Sequence, residues 1–124
     1  MQPRPELEFI IKNTGRTAAI MQDISYQLIQ VAAETTLFEF AVQDTIVNPV
    51  LEGGQETSPP TPCIFESALT VADGVAGIEG SRPFFFYGSI TFRDTFRQQH
   101  EYRWRYQYRG NRFVLVHEEE HQIK

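Results

Sequence analysis

A metal-site motif lies near the C-terminus, where H-E-x-x-H matches His117-Glu118-Glu119-Glu120-His121. On a helix, residues i and i+4 of this motif share one face and can hold Zn²⁺. The motif here continues the run Phe113–Val116, which is rich in strand-forming residues. Because four strand residues span about 13 Å, the two histidines would lie too far apart for one ion. We therefore expect residues 118–124 to form a solvated polar tail.

Aromatic and basic residues alternate in the stretch before this motif. The rings are Tyr102, Trp104, Tyr106 and Tyr108, and the intervening residues are Arg103, Arg105, Gln107 and Arg109. Strand alternation puts the rings on one face and the guanidinium groups on the other. The rings are then core residues and the arginines a solvated stripe.

The arginine stripe is also a candidate anion- or partner-binding surface. Its members would be Arg93, Arg103, Arg105, Arg109 and Arg112. A cationic groove with stacking aromatics would suit single-stranded nucleic acid. The formal net charge of −5 weighs against a nucleic-acid partner.

Asp94 and His100 flank a predicted turn, and their proximity suggests either acid–base chemistry or a structural turn pair. No nucleophile accompanies them at a fixed spacing. We favour the structural interpretation, in which Asp94 accepts backbone hydrogen bonds and His100 binds to it. A metal-dependent hydrolase would need His100, His117 or His121 to converge with carboxylates.

Cys63 is the only cysteine, which excludes an internal disulfide and a zinc cluster built on cysteines. It follows a proline-rich segment and begins an apolar run. We interpret it as a buried apolar residue and not as a nucleophile.

Length and charge favour one domain over residues 1–124. No apolar run approaches the ~20 residues of a membrane helix, and no signal segment opens the chain.

Charge is distributed unevenly along the chain. Residues 1–80 carry three basic and eleven acidic side chains, whereas residues 81–124 carry eight basic and five acidic ones. This asymmetry suits complementary surfaces within one domain. No cofactor is predicted.

Period-two patterns and turn signals predict an all-β fold. Strands are expected over residues 6–12, 20–31, 38–43, 63–71, 84–93, 102–109 and 113–116. Residues 48–62 contain two glycines and four prolines, which predicts a long loop without ladder hydrogen bonds. We interpret residues 1–5 as a linker. We predict an antiparallel β-sandwich of immunoglobulin or fibronectin type III character, with seven to eight strands.

Two motifs carry a family resemblance. The segment Tyr87–Phe96 followed by His100 resembles Y-G-x-I-x-Y-x-D-x-F-G-x-x-H, and Asn13–Ala19 is similar to N-x-G-x-T-P-A. Both occur in bacterial domains of uncharacterised function that often follow N-terminal membrane helices. The resemblance extends from about residue 6 to residue 109. Ala18 replaces the proline, and Arg97 replaces a turn glycine that would favour a positive φ.

The resemblance implies a sandwich in the periplasm or cell envelope, and it transfers no catalytic residue. If Met1 is the native start, a cytoplasmic location becomes the alternative. We therefore expect a non-enzymatic interaction or structural module with an unidentified protein partner. Anion binding through the arginine stripe and a histidine-based hydrolase are the alternatives.

Overall fold

The computed structural model describes residues 6–30, 43–44, 50–57, 61–64, 82–109 and 112–123. The predicted all-β, antiparallel class is confirmed. Strands within these residues are β1 (Glu6–Phe9), β2 (Ala19–Gln30), β3 (Gln43–Asp44), β4 (Val50–Leu51), β5 (Thr61–Ile64), β6 (Phe84–Arg93), β7 (Gln99–Arg109) and β8 (Arg112–Ile123). In this part of the chain, no helix has the length and hydropathy needed to cross a membrane.

The larger sheet is antiparallel and curled into a half-barrel. Its strand order is β3-β2-β6-β7-β8, and β4 also pairs with β2. A separate two-stranded ribbon consists of β1 and β5. We call the sheet face that carries Phe86, Ile90 and Trp104 the inner face, because these residues belong to the buried core.

Strand β6 is buried on both faces, as its apolar start predicts. Every residue from Phe84 to Ile90 is buried, and β6 pairs with β2 on one side and β7 on the other. On β2, the predicted inward residues Ile24, Tyr26 and Leu28 are buried. Met21 is buried as well, because the register shift between Met21 and Asp23 moves the alternation by one residue.

Trp104 confirms the predicted phase of β7. It is buried with 8% exposure, whereas Arg103 on the next position is exposed. Trp104 lies opposite Gly88 on β6. A Cβ atom on Gly88 would lie 2.7 Å from the Cη2 atom of the indole and 2.6 Å from the carbonyl oxygen of Ser25. Glycine is thus required where the indole crosses the strand.

The β1–β5 ribbon packs against the inner face. Leu7, Phe9 and Ile11 contact the core, as their alternation predicts. The ring centroid of Phe9 lies 4.9 Å from that of Tyr26 and 5.1 Å from that of Phe86. The ribbon therefore covers part of the inner face with aromatic and aliphatic side chains.

The expectation that residues 48–62 form a loop without ladder pairing is wrong at both ends of that segment. Val50 and Leu51 pair with β2, and Thr61 and Pro62 belong to β5. Among the described strands, β5 pairs only with β1. A strand with one partner tolerates proline wherever the imide nitrogen points away from that partner, so Pro62 does not prevent pairing.

Residues 118–123 of the predicted polar tail at residues 118–124 belong to β8. They are exposed, as expected of a solvated segment, yet they pair with β7 residue by residue. Glu119 lies opposite Arg103, and His121 lies opposite Glu101. Complementary side chains across the pair favour a strand where three consecutive glutamates alone would not.

Some predicted features lie outside the described residues. These are the linker at 1–5, the strand at 38–42, the strand residues 65–71 and the Gly110-Asn111 turn.

Trp104→Ala should remove about 3–5 kcal/mol from the free energy of unfolding, because it empties the space over Gly88. Arg105→Ala, on the other face of β7, should cost under about 1 kcal/mol. Urea denaturation followed by circular dichroism measures both. A larger loss in Arg105→Ala would contradict the assigned faces.

Candidate functional site

A register shift in the β7–β8 pair decides which side chains of β8 face inward. Arg105 lies opposite His117, but Tyr106 lies opposite Leu115, so Val116 is an additional residue on β8. Phe113 and Leu115 precede the shift on the inner face. Beyond the shift, the β8 residues on the inner face are Glu118, which lies opposite Trp104, and Glu120, which lies opposite Tyr102.

An open cavity of about 1180 Å³ lies between the ribbon and the inner face. Most of its lining is apolar or aromatic, with carboxylates at its β8 side. Its lining includes Phe9, Phe86, Tyr102, Trp104, Glu118 and Glu120. Concave sites that combine apolar walls with a few polar groups are typical of ligand binding.

Tyr102 and Glu118 form a short polar contact in this cavity. The Tyr102 hydroxyl donates to Oε2 of Glu118 at 2.5 Å. Burial and this carboxylate raise the pKa of Tyr102 well above its usual value. The phenol therefore stays protonated, and its ring stacks on Trp104 with centroids 6.0 Å apart.

Asp94 and His100 meet at the edge of the cavity. His100 Nε2 lies 2.8 Å from Asp94 Oδ2. Asp94 Oδ1 accepts hydrogen bonds from the backbone N–H groups of Phe96 at 2.8 Å and Gln98 at 3.0 Å. The hydrogen bond with His100, followed by that from Gln98, lowers the pKa of Asp94. Both carboxylate oxygens are thus used to hold the turn and the first residues of β7.

The same turn contains a backbone conformation that favours glycine. Arg97 has a φ of 63°, at the position where the resembling motif has glycine. Phe96 beside it is 79% exposed. The Asp94 hydrogen bonds therefore stabilise a turn that its own residue 97 disfavours.

The arginine stripe lies on the outer face among carboxylates. Arg103 Nε lies 2.6 Å from Glu101 Oε1, and Arg103 Nη1 lies 3.9 Å from Glu119 Oε1. Arg105 on the same face is half-buried, and desolvation lowers its pKa. These ion pairs reduce the positive charge that the stripe offers to an anion.

The five arginines of the predicted surface do not gather in one place. Arg93 lies opposite Gln99 at one end of β7, whereas Arg112 lies opposite Arg109 at the other end. Ten residues of strand separate these ends by about 33 Å. Arg109 donates to Gln107 Oε1 at 3.0 Å.

The three histidines do not converge. His117 and His121 lie on the outer face of β8, with Nε2 atoms 3.8 Å from Glu119 Oε2 and 3.6 Å from Glu101 Oε1, respectively. His100 lies on the inner face opposite Phe92. Within the described residues, no three His, Cys, Asp or Glu side chains are grouped to hold a metal ion.

Cys63 is 4% exposed and packs in the core, as predicted. Burial raises its pKa to about 11. At neutral pH the thiol is therefore protonated and weakly nucleophilic.

The Asn13 motif forms a junction between two segments. Asn13 Nδ2 donates to the carbonyl oxygens of Thr17 at 2.7 Å and Leu51 at 3.0 Å. Asn13 Oδ1 accepts from the N–H of Gly15 at 2.9 Å. The side chain thus ties the chain after β1 to β4, and both motifs of the resemblance have a structural role in this fold.

Glu118 and Glu120 were missed as site residues by the sequence analysis, which assigned them to a tail. The period-two pattern of β7 predicted that Tyr102 and Trp104 lie on the core-facing side of that strand. The register of β8 was the missing information, because Val116 shifts it by one residue.

Comparisons with protein-family models, curated proteins and solved structures found no match for the chain.

Asp94→Asn should reduce the amount by which the free energy of unfolding falls between neutral and acid pH. The pKa of Asp94 is lower in the folded chain than its ordinary value of 3.8. Its contribution is therefore present above about pH 4 and is lost as the pH falls through the folded pKa. Urea denaturation at pH 7 and pH 3 measures the difference. An equal drop in wild type and variant would contradict this role.

Arg97→Gly should raise the free energy of unfolding by about 0.5 kcal/mol. Relief of the strain that a residue with Cβ has in the left-handed conformation should raise the free energy of unfolding by about 1–2 kcal/mol. The greater conformational freedom of glycine in the unfolded chain should lower it by about 0.5–1 kcal/mol. Arg97→Ala is the control, because it removes the side chain but keeps Cβ. A gain in the alanine variant as large as in the glycine variant would exclude backbone strain as the cause.

Proposed function

We propose that this domain is a non-enzymatic interaction module whose binding site is the cavity between the ribbon and the inner face. The observation that carries the proposal is an open, aromatic-lined volume of about 1180 Å³ beside a well-packed core. A cavity of this size admits a small ligand or a partner side chain. The packing of the ribbon on the larger sheet supports the finer fold proposal, a sandwich of immunoglobulin or fibronectin type III character.

The environments of the reactive side chains support binding without catalysis. Asp94 uses both oxygens for the turn and His100. The thiol of Cys63 is buried and protonated. His117 and His121 lie on the opposite face of the sheet from the cavity. These groups stabilise the fold, whereas the cavity offers apolar and charged side chains to a ligand.

We place the module in the bacterial cell envelope, as the extracytoplasmic part of a membrane-anchored protein. The support is the resemblance of the Asn13 and Asp94 motifs to domains that follow membrane helices. Fractionation of cells that express the tagged full gene product tests this location. Digestion of the domain by protease added to intact spheroplasts is expected, and protection until lysis would overturn it.

Nile red, a neutral apolar dye, should bind the native domain and gain fluorescence in the cavity. Thr17 and Arg16 form a matched pair, since both are exposed but only Thr17 lines the cavity. Thr17→Trp should weaken dye binding at least about fivefold by narrowing the entrance, whereas Arg16→Trp should leave it unchanged. Absence of dye binding by the folded wild type, or equal effects of the two variants, would overturn cavity binding.

A further inference from the structure

We propose that the cavity binds a small organic ammonium ion, a cation that carries an apolar body. This inference rests on the proposed binding function and specifies its ligand. It follows from the distribution of charge over the two faces of the larger sheet and from the aromatic rings beside the inward carboxylates.

Charge is segregated across the strands that form the cavity wall. The inner face carries the carboxylates of Asp94, Glu118 and Glu120 together with His100. The arginines of β6, β7 and β8 all lie at outward positions: Arg93, Arg103, Arg105, Arg109 and Arg112. Glu8 and Lys12 on the ribbon side have opposite charges that offset each other. The inner face therefore presents negative potential to the cavity.

The aromatic rings provide the second half of a cation site. Tyr102 and Trp104 stack at an interplanar angle of 25° and both line the cavity. Glu120 lies opposite Tyr102 in the ladder, and Glu118 lies opposite Trp104. A cation near these rings is attracted by their π faces and by the adjacent carboxylates together.

The Tyr102–Glu118 hydrogen bond strengthens this arrangement. The hydroxyl donates to Glu118 at 2.5 Å, which shifts electron density toward the phenol ring and favours a cation on its face. The pair is therefore suited to a positively charged ligand and unsuited to an anion.

The remaining lining selects for an apolar body on that cation. Phe9, Phe86 and Ile90 border the cavity and offer no hydrogen-bonding side chain. A bare metal ion would leave these walls without a partner, whereas an alkyl or aryl group attached to the ammonium would contact them.

Three probes that differ mainly in charge test the proposal: 2-phenylethylammonium, 2-phenylethanol and phenylacetate. Trp104 is the only tryptophan and lines the cavity, so its fluorescence reports occupancy, and calorimetry gives the affinity. We expect the ammonium ion to bind at least about fivefold more tightly than the alcohol, with phenylacetate weakest. Added NaCl should reduce the ammonium preference.

A matched set of variants identifies the carboxylates that cause the preference for the ammonium ion. Glu118→Gln combined with Glu120→Gln should abolish the preference for ammonium over alcohol, while the amide oxygen introduced by Glu118→Gln still accepts the hydrogen bond from Tyr102. Glu101→Gln removes the same charge from the outer face, where Glu101 pairs with Arg103 and does not line the cavity, and should leave the preference unchanged. Equal binding of ammonium and alcohol by the wild type would overturn the cation proposal but leave cavity binding intact. Failure of Nile red and all three probes to bind would overturn both.

Discussion

The indole of Trp104 occupies the space that a side chain at residue 88 would fill. Because Gly88 has no Cβ, the ring lies over β6 and contacts Phe86, with centroids 5.9 Å apart. Phe9 then packs on both rings from the ribbon side. The position of the ribbon, and with it the wall of the cavity, depends on this one close approach between a glycine and a tryptophan.

Two register shifts determine what the two faces of the sheet contain. One extra residue on β2, Gln22, brings both Met21 and Ile24 into the core. One extra residue on β8, Val116, turns Glu118 and Glu120 inward and the two histidines outward. A single inserted residue exchanges the faces of every following side chain. The charge segregation of the sheet is a consequence of the second shift.

The sequence predicted the features that local alternation encodes. The bounds of β6 follow from its apolar run, and the faces of β7 follow from the period-two pattern around Trp104. The Asp94–His100 contact follows from turn chemistry. The strands at Val50 and Pro62 were missed because pairing partners, which composition does not reveal, stabilise them. The inward position of Glu118 was missed for the same reason, since a bulge depends on the neighbouring strand.

The two motifs that carry the resemblance stabilise the frame, and residues of both also line the cavity. Asn13 joins the segment after β1 to β4, and Asp94 holds the turn before β7. Glu118 and Glu120 lie outside both motifs, on a strand whose register is set locally. A chain with the same motifs would therefore keep the frame whatever residues occupied these positions on β8. In the proposed site, the carboxylates that would select a cation are therefore specified by other residues than those that hold the frame.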